Sequence, residues 1–328
     1  MAHVPVSQRV VAPCFAKLNL SLKVVYKRAD KYHELRTMFQ SVSLSDRLEI
    51  EFRPGRGRHV ELASSIDIPN NLVDRAAAAV MEAASIRGTA RLALDKRIPM
   101  GAGMGGGSSD AAAVLLALPV LAGKPLKMSE LSGLAASLGA DVPFFLHGGT
   151  ALGIGRGDEL FPLADPGGSR HGLLMLPNLH ISTPLAFGAL RAPALTELTP
   201  SGLANRIGRF QSLAWSLVCA EPASGGWEAF CENDFEAAVF PQFPLLKSLH
   251  RKLIRSGATL ARMTGSGSAL FGLFPSRKAC EQGAVKIGAL PPGVSVQIIR
   301  LSTRAQYRAA WRRALGAHLT EAAAWPPR

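Results

Sequence analysis

Between Pro99 and Asp110 the chain reads Pro-Met-Gly-Ala-Gly-Met-Gly-Gly-Gly-Ser-Ser-Asp, five glycines in seven positions with an Ala/Leu-rich segment directly behind them. Few arrangements need so many glycines in front of a helix. Without a Cβ, glycine can turn successive N–H groups toward one point and let an anion approach the backbone. The helix behind it adds unpaired N–H groups and the positive end of its dipole. Ser108 and Ser109 add hydroxyls for phosphate or metal, and Asp110 adds a carboxylate beside them. Together these suit a triphosphate–Mg²⁺ complex. The plainer reading is a flexible loop with Ser108 or Ser109 as an ordinary helix cap, and a cap is compatible with a phosphate site.

Other glycine motifs do not fit. A P-loop needs Gly-Lys-Ser/Thr, and no Lys lies inside this run. Gly101, Gly103 and Gly106 satisfy a dinucleotide-binding pattern, but Pro99 breaks the strand–turn–helix unit that pattern requires. The acidic residue at about the right distance, Glu130, falls on a helix-like segment. A protein-kinase loop would be followed by His-Arg-Asp and Asp-Phe-Gly, and neither occurs.

The remaining sequence narrows the class further. The 328 residues are 48% hydrophobic, enough for one large domain or two. A net charge of +13 favours anionic partners, either phosphorylated small molecules or nucleic acid. The basic residues are scattered, with mild clusters at Arg53–Arg58 and Arg304–Arg313, and neither is interleaved with aromatics as in a single-strand-binding surface. No nucleic-acid partner is therefore expected. Cys14, Cys219, Cys231 and Cys280 lie far apart and form no zinc signature. The N-terminus carries no signal-peptide pattern and no apolar run reaches ~20 residues, so a cytoplasmic protein without a membrane partner is expected.

Strands are expected at Lys17–Val25, Met38–Leu44, Leu48–Phe52 and Arg91–Asp95, with Ser45-Asp46-Arg47 as a turn. Helices are expected at Asn71–Ser85, capped by Asn70 or Asn71, at Ser108–Leu118, closed by Pro119, and at Ser129–Leu138, capped by Ser129. Asp165–Arg170 is Pro/Gly-rich and marks a candidate boundary, giving domains 1–168 and 169–328. Beyond it lie strands at Gly172–Leu176, Ala269–Phe274 and Val294–Leu301, and helices near Leu203–Val218, at Phe243–Ser256 and at Arg304–Ala317. Strands and helices mix without strict alternation, which indicates an α+β fold.

These residues are familiar. Pro99-x-Gly-x-Gly-Met-Gly-Gly-Gly-Ser-Ser-Asp resembles the central motif of the GHMP kinases, as do Ala16-Lys17-Leu18-Asn19-Leu20 and Met263-Thr264-Gly265-Ser266-Gly267-Ser268. Asp30-Lys-Tyr32-His33-Glu-Leu35, Asp95-Lys96-Arg97-Ile98-Pro99, Leu138–Phe145 and Asn233-Asp234-Phe235-Glu236 resemble, in order, the branch whose substrate carries a cytidine diphosphate. The likeness covers about residues 10 to 300. Lys31 stands where that branch usually has Gly, Met104 where it has Leu, and Asp158 where it has Glu; the tail after Arg304 is longer and more basic.

The resemblance implies a two-domain GHMP-kinase fold with mixed sheets and the active site in the cleft between domains. It implies ATP and Mg²⁺, a small-molecule substrate with a cytidine diphosphate group, and a monomer or homodimer. Pro99, Gly101, Ala102, Gly103, Met104, Gly105, Gly106, Gly107, Ser108 and Ser109 would bind the nucleotide phosphates, with Asn71, Leu72 and Lys96 on the adenosine side and Ser108 and Asp110 near the metal. Lys96 could equally be a surface lysine beside Arg97.

Asp141 sits between Gly139-Ala140 and an apolar Val-Pro-Phe-Phe run, an expensive place for an unpaired charge. On residues alone a helix cap, an ion pair and a general base are equally open; the resemblance implies the base, with Lys17 as partner. Strand alternation alone would point Lys17 to solvent, and the family match reverses that preference. Asn19, Thr183, Gly265 and Gly267 would contact substrate. Tyr32 would stack on the cytosine, His33 would hydrogen-bond it, and Phe187 would form the opposite wall, unless it is simply a core aromatic. The glycines after Thr264 suit a tight hairpin turn as well as a phosphate contact. Another GHMP kinase, acting on homoserine or a mevalonate derivative, is the first alternative. A basic nucleic-acid-binding protein is the second.

Overall fold

The structure is a computed structural model that describes residues 8–165, 171–219 and 226–319. The first half of the chain is built on β1 (Gln8–Lys27) and β2 (His33–Pro54), a long antiparallel hairpin. Its loop closes with Lys31 at φ 70°. That left-handed position is where glycine is cheapest, and Lys occupies it here. β3 (Arg58–Ser64), α1 (Leu72–Ala83) and β4 (Gly88–Asp95) form a parallel crossover unit beside β2. The chain continues through α2 (Gly106–Leu121), α3 (Met128–Leu138), α4 (Val142–His147), β5 (Thr150–Gly155) and β6 (Glu159–Pro162). The outer edge of β2 is shared: Leu35–Gln40 pair with β5 and Arg47–Pro54 pair with β4.

The second half carries β7 (His171–Pro177), α5 (Thr183–Ala189), α6 (Pro200–Cys219), α7 (Asp234–Val239) and α8 (Pro244–Arg255). β8 (Leu260–Met263), β9 (Leu270–Phe274), α9 (Arg277–Ile287), β10 (Val294–Arg300) and α10 (Arg304–Leu315) follow. Here the sheet order is β10-β7-β9-β8, all antiparallel. Helices α8 and α9 pack on it through Leu246, Leu249, Leu253 and Cys280. The chain then crosses back. Tyr307, Trp311 and Leu315 of α10 enter the core of the first sheet, and the Tyr307 hydroxyl donates to the Phe145 carbonyl. The boundary expected at 168 lies outside the described residues. The fold is α+β with two sheets, as expected.

Several local expectations are corrected. Ser45-Asp46-Arg47 is not a turn: β2 runs through it, because all three residues pair with β1 and the Asp46 carboxylate is satisfied inside the protein. Neither Ser108 nor Ser109 caps α2. The helix begins at Gly106 behind Gly105, whose φ of 70° turns the chain, and the Ser109 N–H already bonds the Gly105 carbonyl. Pro119 does not close α2; it lies near its end, where one missing N–H is tolerated, and the helix reaches Leu121. Ser129 lies inside α3, which starts behind Lys127, whose N–H is taken by the Glu130 carboxylate. Asn71 caps α1 by accepting from the Val73 N–H, so of the two candidates it is the cap.

Candidate active site

Residues 16–22 of β1 are buried on both faces. Apolar Leu18 and Leu20 enter the core, and the polar residues between them lie under the glycine run. The Lys17 N–H donates to the Met104 carbonyl at 3.0 Å, so the strand holds the loop directly. Lys17 Nζ donates to Asn19 Oδ1 at 2.6 Å and lies 3.3 Å from Asp141 Oδ2 and 5.4 Å from the centre of the Phe39 ring. The Lys17 side chain is 4% exposed, whereas the Asp141 carboxylate is 36% exposed and opens to a cavity. Asn19 is fixed in turn: its amide donates to Thr37 Oγ1 at 2.8 Å, and its backbone N–H donates to Thr264 Oγ1 at 3.0 Å.

The glycine run lines a cavity of about 300 Å³ with Asn71, Leu72, Lys96, Ser108 and Asp110. Gly101, Gly103 and Gly105 all have φ near +70°. Left-handed residues in alternation are the backbone form in which successive N–H groups can converge on an anion. At Gly103 the close approach of a second loop leaves no room for a side chain: a Cβ there would fall 2.1 Å from the Thr264 carbonyl oxygen. That second loop joins β8 to β9 and carries Gly265 and Gly267, so the hairpin reading and the position beside the phosphate loop hold together. Asn233 anchors it by donating to the Met263 and Gly265 carbonyls, and Glu236 accepts from the Met263 N–H at 2.8 Å. Burial pushes the Glu236 carboxyl up to about 7.

A second cavity of about 600 Å³ adjoins the first at Gly103. It brings Lys17, Asn19 and Asp141 together with Tyr32, His33, Thr183, Phe187 and Gly265. Gly267 is not among its lining residues. The Phe187 ring stacks on His33 at 4.5 Å and 19°, and meets Phe235 edge-on at 4.8 Å. Phe187 is thus half core aromatic and half cavity wall. Tyr32 is 55% exposed, and the Arg156 guanidinium lies 5.1 Å from its ring centre. Burial, with help from Lys27, holds His33 below its ordinary range. Thr183 Oγ1 lies 3.0 Å from Ser266 Oγ.

The sequence signals missed Lys27, Arg156, Ser266 and Phe39, all of which line this cavity. Nothing local marks them, since they arrive from separate strands and turns. They missed Asp46 as well. Lys96 is no surface lysine: its ammonium is shared between the Asp46 and Asp110 carboxylates, and its side chain is 4% exposed. Asp110 is also buried, and burial together with Asp46 raises its carboxyl against the opposing pull of Lys96. Cys14, Cys231 and Cys280 are free and buried, and no group of three or more metal-ligating side chains occurs among the described residues. No helix among them is long and apolar enough to cross a membrane.

Known proteins share much of this chain. Residues 71–149 match the GHMP kinases N terminal domain and residues 223–289 the GHMP kinases C terminal domain. The 4-diphosphocytidyl-2-C-methyl-D-erythritol kinase of Solibacter usitatus is 49% identical over 95% of this chain and 94% of its own. The chain belongs to the 4-diphosphocytidyl-2-C-methyl-D-erythritol kinase family of GHMP kinases. Its member from Thermosynechococcus vestitus is 38% identical over 82% of this chain and 88% of its own. A crystal structure of a 4-(cytidine 5'-diphospho)-2C-methyl-D-erythritol kinase superposes with a TM-score of 0.68 at 36% identity, covering 89% of this chain and 99% of that one. Homoserine kinase from Cytophaga hutchinsonii superposes equally well (TM-score 0.69, covering 92% and 96%) at only 18% identity, and so shares the fold alone. The protein is an ATP-dependent small-molecule kinase.

Proposed function

We propose that the protein transfers the γ-phosphoryl group of ATP to the 2-hydroxyl of the methylerythritol moiety of 4-(cytidine 5'-diphospho)-2-C-methyl-D-erythritol, a step of non-mevalonate isoprenoid biosynthesis. The observation that carries this reading is the position of the Lys17–Asp141 pair: it lies in a cavity with an aromatic end, next to the cavity lined by the glycine run.

With the cytosine at Tyr32, His33 and Phe187, and the diphosphate along the cavity, the hydroxyl reaches Asp141. Asp141 accepts the hydroxyl proton as the oxygen bonds to the γ-phosphorus and the bond from that phosphorus to the ADP oxygen breaks. Lys17, buried and donating to Asn19 with its ammonium 3.3 Å from Asp141 Oδ2, orients the carboxylate, and its charge favours the developing alkoxide. Glycine-run N–H groups take the phosphate oxygens. The residues present suit Mg²⁺: Ser108 lines the cavity, and Asp110 Oδ1 is buried with no hydrogen-bond partner. Bound there, the ion would neutralise charge on the β- and γ-phosphates. Asn71 and Leu72 border the adenosine side.

The test is ADP release with purified protein, ATP and Mg²⁺, offered the cytidylylated methylerythritol, homoserine or mevalonate in turn. Turnover with the first alone is expected. Turnover with homoserine or mevalonate instead would overturn the acceptor assignment.

A further inference from the structure

Asp46 lines neither cavity of the cleft, yet it is bonded directly to the segment that enters the glycine run and, through Lys96, to Asp110 behind it. It comes from the middle of β2, beside the stretch where that strand's outer edge passes from β5 to β4. Its side chain is fully buried. Asp46 Oδ1 accepts the N–H groups of Arg97 and of Ile98, the latter at 2.7 Å. Asp46 Oδ2 accepts from Lys96 Nζ, and the same ammonium donates to Asp110 Oδ2 at 2.8 Å. Residues 96–98 lead into the glycine run, and Asp110 lies in the first turns of α2 behind it. One cluster of three charges therefore ties the entrance and the exit of the loop to a core strand. The cluster also abuts the loop, since Lys96 Nζ and Ile98 Cγ2 lie 3.0 and 3.1 Å from where a Cβ on Gly106 would be.

Fold stability is a weak explanation for such a cluster. Buried ion pairs are about as stable as, or less stable than, apolar residues of the same volume. A glycine run, in contrast, has the most conformational freedom to lose when it closes on an anion. Fixing its two ends removes part of that loss before ligand arrives.

We propose that Asp46 is a positioning residue for the nucleotide: through Lys96 and the Arg97 and Ile98 N–H groups it sets the span of the glycine run that receives the phosphates. It touches no substrate itself. The inference goes beyond the acceptor assignment and does not depend on it.

The experiment uses the full chain carrying Asp46→Asn, which keeps an oxygen for the two N–H groups but loses the charge facing Lys96. ADP affinity by calorimetry is expected to weaken roughly tenfold, equivalent to about 1.4 kcal/mol. The KM for the phosphoryl acceptor should stay within twofold, and amide exchange should quicken across 100–107 while β1 and β2 stay protected. ADP affinity within twofold of the parent, with loop exchange unchanged, would overturn the proposal. So would ADP and acceptor affinities falling together in step with the Tm, the mark of a merely structural residue. Asp46→Ala should show a larger loss of ADP affinity; if it does not fold, the isosteric Asn variant still decides. ADP binding and amide exchange need no acceptor, so a wrong acceptor is detected separately, in turnover.

Discussion

The two ends of the acceptor cavity are built differently. At the Asp141 end, Lys17, Asn19, Thr37 and Thr264 form an unbroken hydrogen-bonded chain on strands and loops of the core. At the aromatic end, Tyr32 sits on a hairpin loop with its ring beside the Arg156 guanidinium, and Phe187 sits on a seven-residue helix with its ring against those of His33 and Phe235. The first end is preorganised, as a charge-stabilising site must be. The second has no such chain: Phe187 is held by ring contacts, with His33 at 4.5 Å and with Phe235 edge-on at 4.8 Å. On the proposed roles, chemistry lies at the first end and recognition at the second, so damage at the two ends should separate kcat from KM.

The largest expected effect lies at the rigid end. Asp141→Asn should lower kcat by about 10²–10⁴, with ADP affinity retained in a calorimetric titration. Near-normal turnover would remove Asp141 from the mechanism and erase the contrast. Phe187→Ala should raise the KM for the cytidine-bearing acceptor by roughly tenfold or more, since base stacking contributes about 1–3 kcal/mol. In steady-state kinetics kcat should be nearly unchanged; an equal fall in kcat would mean that Phe187 supports the core more than it holds the base.

His33 sharpens the comparison through pH. Burial lowers its pKa below the unfolded value, so the fold favours neutral imidazole. Its stability contribution is complete above the unfolded pKa of about 6.5 and is lost as pH falls from there through the lower folded pKa. The acceptor KM should therefore be flat from pH 7 to 8 and rise only as pH falls through the folded pKa, which lies below the ordinary value of about 6.5, and His33→Gln should flatten that rise.

The smallest effect is expected at Glu236, on the helix that links the two ends: Asn233 and Glu236 hold the second glycine turn and Phe235 meets Phe187. Its folded pKa of about 7 lies above its unfolded value, so stability falls as pH rises from about 4.5 to 7 and is level beyond. Glu236→Gln should remove that slope in Tm measurements and raise Tm at pH 8, with kcat and KM changed less than twofold. An unchanged pH slope would mean that Glu236 is not the group responsible.

Local signals carried much of this. The left-handed turns and the helix start of the glycine run were legible because they are local and need only neighbouring residues. Asn71 as a cap and the alternation in Lys17–Val25 were legible for the same reason. Burial was not. Ser45-Asp46-Arg47 has the composition of a turn, because Asp and Ser bond their own backbone in an isolated chain. Inside this protein a lysine fifty residues away and two N–H groups satisfy the same carboxylate, and the strand continues. Lys17 would face solvent by alternation alone; that it lies beside Asp141 was implied only by family resemblance. Arg156 and Lys27 left no mark, since a charged residue reads alike on a surface and at a cavity rim.

The sequence by itself determined the glycine turn before α2, the mixed strand-and-helix class and the identity of the groups available for chemistry. Tertiary structure alone decided which charges meet: Lys17 with Asp141, Lys96 with Asp46 and Asp110. The physical reason is that a charge costs little in the water around an unfolded chain and a great deal once buried, so its partner is chosen by the packing that removes the water.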